Sequence, residues 1–330
     1  MRAAGGGGVM SYAAARTLDT DMIPVIDIGP LRDGSDVAGV AAALHRASRE
    51  VGFIYVTNHG VAPGVLDTAR AIALEFFRRD ETGKAAVRVT GKHRGWLGQG
   101  GARMRDDARP DLKESFIWGF QDAEGATPED HPLRGANRWP DAMPGFMPAA
   151  MAWFGAAHDV AGSLMRGFAV GLGLPEDFFL RTSAQPMSRA SFVYYPPQAP
   201  ELGADQFGVG PHTDFGVLTV LAQDDVGGLQ VQDRAGEWVA APPLPGTLVV
   251  NVGDLLARWT NDAYRSTPHR VVNASGRERL SLVLAYDPEP QTLIDPRAVF
   301  GEGIETAYDP ITCGDYLEWR FAKAFAYRGK

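Results

Sequence analysis

The sequence predicts an α+β chain with a mainly β core, a double-stranded β-helix (jelly roll) wrapped by helices. Three observations lead there. From Ser188 onward, runs rich in β-branched and aromatic residues are separated by glycine, proline and aspartate: 189–195, 208–214, 217–222, 229–232, 237–239, 247–251, 269–272 and 279–286. Eight short strands of this kind suit two facing sheets with a wide mouth. Before Ser188, apolar residues recur mostly at helical spacing. No repeat or linker splits the 330 residues. The expected organisation is a flexible tail (1–20) and one domain (21–330), with a helical and strand region (21–187), the jelly roll (188–290) and a C-terminal helical region (291–330).

The elements follow in order. Gly5 to Gly8 offer no packing surface, and Met10 provides a second candidate start. Ile23 to Ile28 reads as a short strand with a proline at its edge. Ser35 to Val51 places Val37, Val40, Ala41, Leu44, Ala47 and Val51 on one helical face, with Ser35 or Asp36 as N-cap and Gly52 as stop. Phe53 to Val56 is a strand, closed by Asn58-His59-Gly60. A helix over Pro63 to Arg79 turns Val65, Leu66, Ala69, Ile72, Leu74 and Phe76 inward. The segment from Gly91 to Pro110 reads as irregular; Gly98-Gln99-Gly100-Gly101 follows no clear strand and opens no helix, so it is a surface loop rather than a phosphate cradle. Ser115 to Phe120 alternates as a strand, 121–145 is loop, and Phe146 to Leu174 is a long helix carrying Met147, Met151, Phe154, Val160, Leu164, Phe168 and Val170. A last helix, Cys313 to Tyr327, packs Tyr316, Leu317, Trp319, Phe321 and Phe325.

Composition bounds the setting. The chain is 45% hydrophobic and 22% charged, so it can bury a sizeable core. A formal charge of −8 argues against a nucleic-acid or anionic-membrane partner, which needs a basic face. The single cysteine, Cys313, fits a reducing compartment and reads as a small buried residue. No apolar run reaches membrane-spanning length, and the N-terminus lacks the apolar stretch of a signal peptide. A cytoplasmic monomer acting on a small molecule is expected, and Asn273-Ala274-Ser275 is then only a loop.

One stretch carries chemistry: Gly210-Pro211-His212-Thr213-Asp214-Phe215-Gly216, answered by Ser266-Thr267-Pro268-His269-Arg270. On an extended strand His212 and Asp214, two apart, point to one face. His269 arrives from far along the chain as a third donor. Two imidazoles and a carboxylate on one side of a metal leave the other side open, an arrangement that suits oxygen-activating Fe(II) enzymes. Arg279-Leu280-Ser281 lies in an apolar strand, and a buried arginine beside such a metal is placed to hold the carboxylate of an acidic co-substrate. The remaining histidines, His45, His59, His93, His131 and His158, read as structural.

Further segments extend the pattern: Ile23-Pro24-Val25-Ile26-Asp27, Gly52 to Gly60, Asp111-Leu112-Lys113-Glu114-Ser115-Phe116, Tyr194-Tyr195-Pro196-Pro197, Gly227-Gly228-Leu229-Gln230-Val231 and Asn251-Val252-Gly253-Asp254. In this order, with the histidine and arginine motifs, the chain resembles the iron(II)/2-oxoglutarate-dependent dioxygenases, in the branch that includes isopenicillin N synthase. The resemblance implies Fe(II) held by His212, Asp214 and His269. It implies 2-oxoglutarate held at its far carboxylate by Arg279 and Ser281 with Tyr195 nearby, and O2 as oxidant. Hydroxylation, desaturation or ring closure of a small metabolite would follow, releasing succinate and CO2. Three other readings stay open at this point: an iron oxidase acting without 2-oxoglutarate, a non-redox jelly-roll isomerase, and an inactive binding module. On the substrate side, alternation splits Ser115 to Phe120 into a bulky face (Phe116, Trp118, Phe120) and a small face (Ser115, Ile117, Gly119). The bulky face is expected against the helices, leaving Ser115 and Ile117 to line a substrate pocket.

Overall fold

The computed structural model describes residues 15–16, 22–101, 111–123, 131–198 and 207–325. In chain order the elements are β1 (Val25–Asp27), α1 (Gly29–Asp33), α2 (Val37–Glu50), β2 (Phe53–Thr57), α3 (Pro63–Phe77), α4 (Glu81–Ala85), β3 (Gly95–Leu97), β4 (Glu114–Gly119) and α5 (Phe146–Gly171). Then come β5 (Arg189–Tyr195), β6 (Val209–His212), β7 (Leu218–Gln223), β8 (Leu229–Gln232), β9 (Trp238–Ala240), β10 (Leu248–Val252) and α6 (Asp254–Trp259). The chain continues through β11 (His269–Val271), β12 (Arg279–Tyr286), β13 (Leu293–Ile294), α7 (Arg297–Phe300), β14 (Ile311–Thr312) and α8 (Cys313–Ala324).

Local chemistry sets the helix ends. The Asp36 carboxylate accepts the Gly39 N–H at 2.8 Å and so caps α2, and Thr312 does the same for α8 through the Asp315 N–H at 3.1 Å. Pro63 opens α3, where its missing N–H would have had no helical partner anyway.

The eight strands expected after Ser188 divide evenly between two sheets. β5, β7, β10 and β12 lie in an eight-stranded sheet of order β1-β2-β10-β7-β12-β5-β4-β3, and β6, β8, β9 and β11 form a smaller sheet of order β6-β11-β8-β9. Alternation then sorts the side chains. Phe192, Leu282, Leu284, Val220 and Val250 join the core shared with α2, α3 and α5, whereas Val193, Tyr195, Leu229, Val231 and Val271 fill the space between the sheets. Phe116 and Trp118 are fully buried on the helical side, Phe116 within 5.0 Å of the Phe76 ring and 4.4 Å of the Phe146 ring.

Several expectations change. The Gly91–Pro110 segment contains a strand, β3, which pairs with β4 from Gly95↔Ile117 to Leu97↔Ser115. Three residues opened by a glycine at φ +112° give little local signal, and long-range pairing makes the strand. Met147 and Trp319 are exposed (43% and 49%) rather than packed inward. The strand expected over 208–214 stops at His212. The last helix, expected to run to Tyr327, stops at Ala324, where Phe325 turns to an extended backbone. Most of the tail expected over 1–20 and the loops over 102–110 and 124–130 lie outside the described residues; within the tail, Arg16 pairs with Val239 of β9.

Candidate active site

Adjacent antiparallel strands of the smaller sheet carry the two histidines. His269, at the start of β11, lies directly opposite His212, at the end of β6, with ring centroids 4.2 Å apart. Each ring turns Nδ1 to a carbonyl two residues back, His212 to Gly210 at 2.8 Å and His269 to Thr267 at 3.2 Å. A carbonyl can only accept, so Nδ1 carries the proton in both and Nε2 keeps its lone pair.

Asp214 sits in the turn after β6 and is aimed by hydrogen bonds rather than by a strand. Its Oδ2 accepts from Thr219 Oγ1 at 2.5 Å and Asn251 Nδ2 at 2.8 Å, leaving Oδ1 3.7 Å from each histidine Nε2. The turn is braced from behind: Asp254 N–H donates to the Asp214 carbonyl at 2.8 Å, and Val217 N–H donates to Asp287 Oδ1 at 3.0 Å. The approach is close enough to require glycine. A Cβ on Gly216 would lie 2.3 Å from Asp287 Oδ1, and one on Gly253 2.1 Å from the Gly216 carbonyl.

The three donor atoms lie within 4.8 Å of one another. Burial, reinforced by the neighbouring His269, pushes the His212 pKa down to about 3 against the pull of Asp214. Burial works to raise the Asp214 carboxyl, but the two imidazoles and the hydrogen bonds from Asn251 and Thr219 outweigh it and hold it below its ordinary value. Two lone-pair nitrogens and one anionic oxygen, with an open side, are a donor set that fits Fe(II).

A cavity of about 230 Å³ opens beside this cluster, floored by three neighbouring strands of the large sheet. Each strand contributes alternate residues: Ser115 and Ile117 from β4, Ser191, Val193 and Tyr195 from β5, and Arg279, Ser281 and Val283 from β12. Arg279 is 1% exposed. It donates to the Gly227 carbonyl at 2.5 Å and to Ser281 Oγ at 2.7 Å, and its guanidinium lies 4.7 Å from the Tyr195 ring centre. Its Nη2 is buried with no hydrogen-bond partner among the described residues. A carboxylate is the ligand that completes such a fork.

All eight residues singled out from the sequence (His212, Asp214, His269, Arg279, Ser281, Tyr195, Ser115 and Ile117) therefore border one cavity. So do others that the sequence reading passed over. Lys113 and Arg189 continue the alternating rows of β4 and β5, and the period of two would have found them, one step before Ser115 and three before Tyr195. His93, read as structural, is in the cavity wall with its ring 4.8 Å from Phe321 and 4.6 Å from Phe325, both of which also line it. Nothing local to His93 announces this, because the contact is made by the C-terminal end of the chain. The other histidines stand outside the cavity lining: His59 accepts the Val61 N–H and His131 those of Leu133 and Arg134, both local, whereas His45 meets the distant Tyr264 Oη at 2.9 Å and the His158 ring packs on Phe154 and on the distant Tyr286.

Comparison with known proteins agrees with this geometry. A family model described as the 2OG-Fe(II) oxygenase superfamily matches residues 186–288, and one for the non-haem dioxygenase in morphine synthesis N-terminal region matches residues 23–142. The 2-oxoglutarate-Fe(II) type oxidoreductase ppzC of Metarhizium majus is 33% identical over 98% of this chain and 94% of its own length. A homoarginine-6-hydroxylase of Oryza sativa subsp. japonica is 33% identical over 91% of this chain and 96% of its own length. Among solved structures, a full-length Neurospora crassa protein in complex with alpha-KG and thymine superposes with a TM-score of 0.82 at 29% identity, covering 92% of this chain and 98% of that one.

Proposed function

The chain belongs to the 2OG-Fe(II) oxygenase superfamily, and from that premise we propose that His212, Asp214 and His269 hold its iron and that Arg279 and Ser281 hold the far carboxylate of 2-oxoglutarate. The protein is an Fe(II)- and 2-oxoglutarate-dependent oxidoreductase. The readings without 2-oxoglutarate, without redox chemistry or without activity are set aside, because relatives are named oxidoreductases and hydroxylases and solved neighbours contain alpha-KG.

The observation that carries the residue assignment is the buried, unpartnered Arg279 Nη2 in the same cavity as the donor cluster. When iron, 2-oxoglutarate and O2 are bound, the centre supplies an oxidant able to break a C–H bond, with 2-oxoglutarate ending as succinate and CO2. The protein's own groups position and shield. Thr219 and Asn251 occupy Asp214 Oδ2 and so leave Oδ1 as the oxygen that would hold the metal, and the two backbone carbonyls fix the histidine tautomers. The Tyr195 ring under the guanidinium holds Arg279 to one orientation. Ile117, Val193 and Val283 give the floor apolar surface beside the clamp, which weakens the screening of charge interactions there.

The substrate we propose is a small molecule with a substantial apolar body, resting beside Ser115 and Ile117. A cytoplasmic monomer is the proposed setting, supported by the net charge of −8 and the lone buried cysteine. The test is anaerobic titration of the purified protein with Fe(II), then with 2-oxoglutarate. One iron per chain and iron-dependent binding of 2-oxoglutarate are expected in the wild type. Normal iron binding by Asp214→Ala would overturn the ligand assignment.

A further inference from the structure

Once the groups assigned to iron and 2-oxoglutarate are set apart, the charged residues on the cavity wall are Lys113 and Arg189, both cationic; Asp214 is the sole carboxylate on that wall among the described residues. Arg189 has the more telling position. It pairs with Ala285 in β12, and Ala285 pairs in turn with Thr219, the residue that aims Asp214. Arg279 lies opposite Tyr195, at the other end of β5, roughly 20 Å away at about 3.3 Å per residue. Arg189 thus stands at the metal end of the floor, away from the 2-oxoglutarate clamp.

It is also built to be rigid. Arg189 is 6% exposed, donates through Nη2 to Asp287 Oδ2 at 3.0 Å and through Nη1 to the Met187 carbonyl at 3.2 Å, and lies 4.6 Å from the Phe321 ring centre. Asp287 is itself fully buried and also holds the turn that follows Asp214. Two of the five guanidinium N–H groups are thereby taken, and the others have no protein acceptor among the described residues. A buried ion pair stabilises a fold no better than apolar packing of the same shape. An arginine kept in one at a cavity wall, with donors to spare, has the form of a recognition group.

We propose that Arg189 is the specificity-determining anchor, donating to a carbonyl or carboxylate oxygen of the substrate whose apolar body lies against Ile117, Phe215, Phe321 and Phe325. The oxidised carbon is then close to that oxygen, because the anchor stands at the metal end. A cationic substrate would meet Lys113 and Arg189, whose own partners Asp111 and Asp287 are already engaged, and among the described residues no carboxylate in the wall is left free to receive it. The pocket is therefore selective against guanidinium and ammonium compounds, although some of the chain's relatives are named homoarginine hydroxylases. The proposal rests on the iron and 2-oxoglutarate assignment above.

The test measures equilibrium binding by calorimetry to the iron- and 2-oxoglutarate-loaded protein without oxygen. The probes are thymine (a neutral ring with carbonyl oxygens), benzoate (an anionic ring) and homoarginine (a cation). At least one of the first two binds saturably in the millimolar range or tighter, and homoarginine does not; which of them binds separates carbonyl from carboxylate recognition. Arg189→Gln leaves Asp287 without its partner, so the double variant Arg189→Gln with Asp287→Asn, which restores a neutral hydrogen-bonded pair, is measured beside it. In the double variant the affinity for the binding probe falls by about ten-fold or more, while 2-oxoglutarate affinity is unchanged. Preferential binding of homoarginine, no saturable binding of either ring probe, or an unchanged affinity in the folded double variant would each overturn the anchor. Loss of 2-oxoglutarate binding in Arg279→Ala is scored separately, so a failure of the underlying site assignment cannot be mistaken for a failure of Arg189.

Discussion

Replacing Arg279 with alanine removes the one buried cation at the far end of the cavity floor. The wild-type side chain is 1% exposed, with bonds of 2.5 Å to the Gly227 carbonyl and 2.7 Å to Ser281 Oγ and an unpartnered Nη2. Two effects separate. For the protein alone, the change leaves an unpaired Gly227 carbonyl, on the order of 1–3 kcal/mol, but also deletes a buried donor that had no partner. For 2-oxoglutarate, one half of a buried charge pair is gone, which costs about 2–5 kcal/mol. At about 1.4 kcal/mol per decade, the affinity falls roughly 30-fold at the low end and more than about 1,000-fold at the high end. Calorimetric titration of the iron-loaded protein with 2-oxoglutarate, without oxygen, reads this directly, and release of CO2 from 1-labelled 2-oxoglutarate gives the matching rise in KM. Iron affinity stays as in the wild type, since no metal donor is touched. Arg279→Lys keeps the charge but not the planar fork, and recovers only part of the loss. An Arg279→Ala protein with wild-type 2-oxoglutarate affinity would refute the reasoning, because the carboxylate would then be held elsewhere.

Asp214→Ala and His269→Ala each remove one of three converging donors; iron binding and turnover disappear while circular dichroism stays native. Ile117→Trp fills the small face of β4, so the KM for the substrate rises, 2-oxoglutarate binding stays normal, and oxygen consumption runs ahead of product. Phe116→Ala opens a cavity among Phe76, Phe146 and Phe192 and lowers stability by about 3–5 kcal/mol in urea unfolding; Phe116→Trp disturbing substrate kinetics more than Ile117→Trp would mean the two faces are reversed. Burial pushes the Cys313 thiol well above its ordinary value of 9.0, with the nearby Asp287 acting in the same direction. A thiol reagent near neutral pH therefore labels it only on unfolding. The thiol's contribution to stability is complete below about pH 9 and is lost as pH rises further, since the unfolded chain ionises first.

Much of this site was legible in the sequence because a strand has a period of two. Alternation alone separates Phe116 and Trp118 from Ser115 and Ile117, and it puts Arg279 and Ser281 on one face; both divisions appear in the three-dimensional arrangement. The same rule carried two residues back from Ser115, and along β5 from Tyr195 in steps of two, would have reached Lys113 and Arg189. The His212 and Asp214 motif was found for a partly different reason than the one that operates. Strand periodicity suggested that the two share a face, yet β6 ends at His212, and it is Thr219 and Asn251, from two other strands, that aim the carboxylate. Other features belong to the tertiary structure alone. The His212–His269 register, the Asp287 bridge between Arg189 and the turn after Asp214, and the wall of His93, Phe321 and Phe325 join residues far apart in the chain. The sequence by itself determined which side chains could do chemistry and which face of each strand they share, because those depend on covalent order and backbone period. Only the folded chain decided which of them meet, because each meeting depends on strand register and on which segment closes over the cavity, and neither is written in any short stretch of residues.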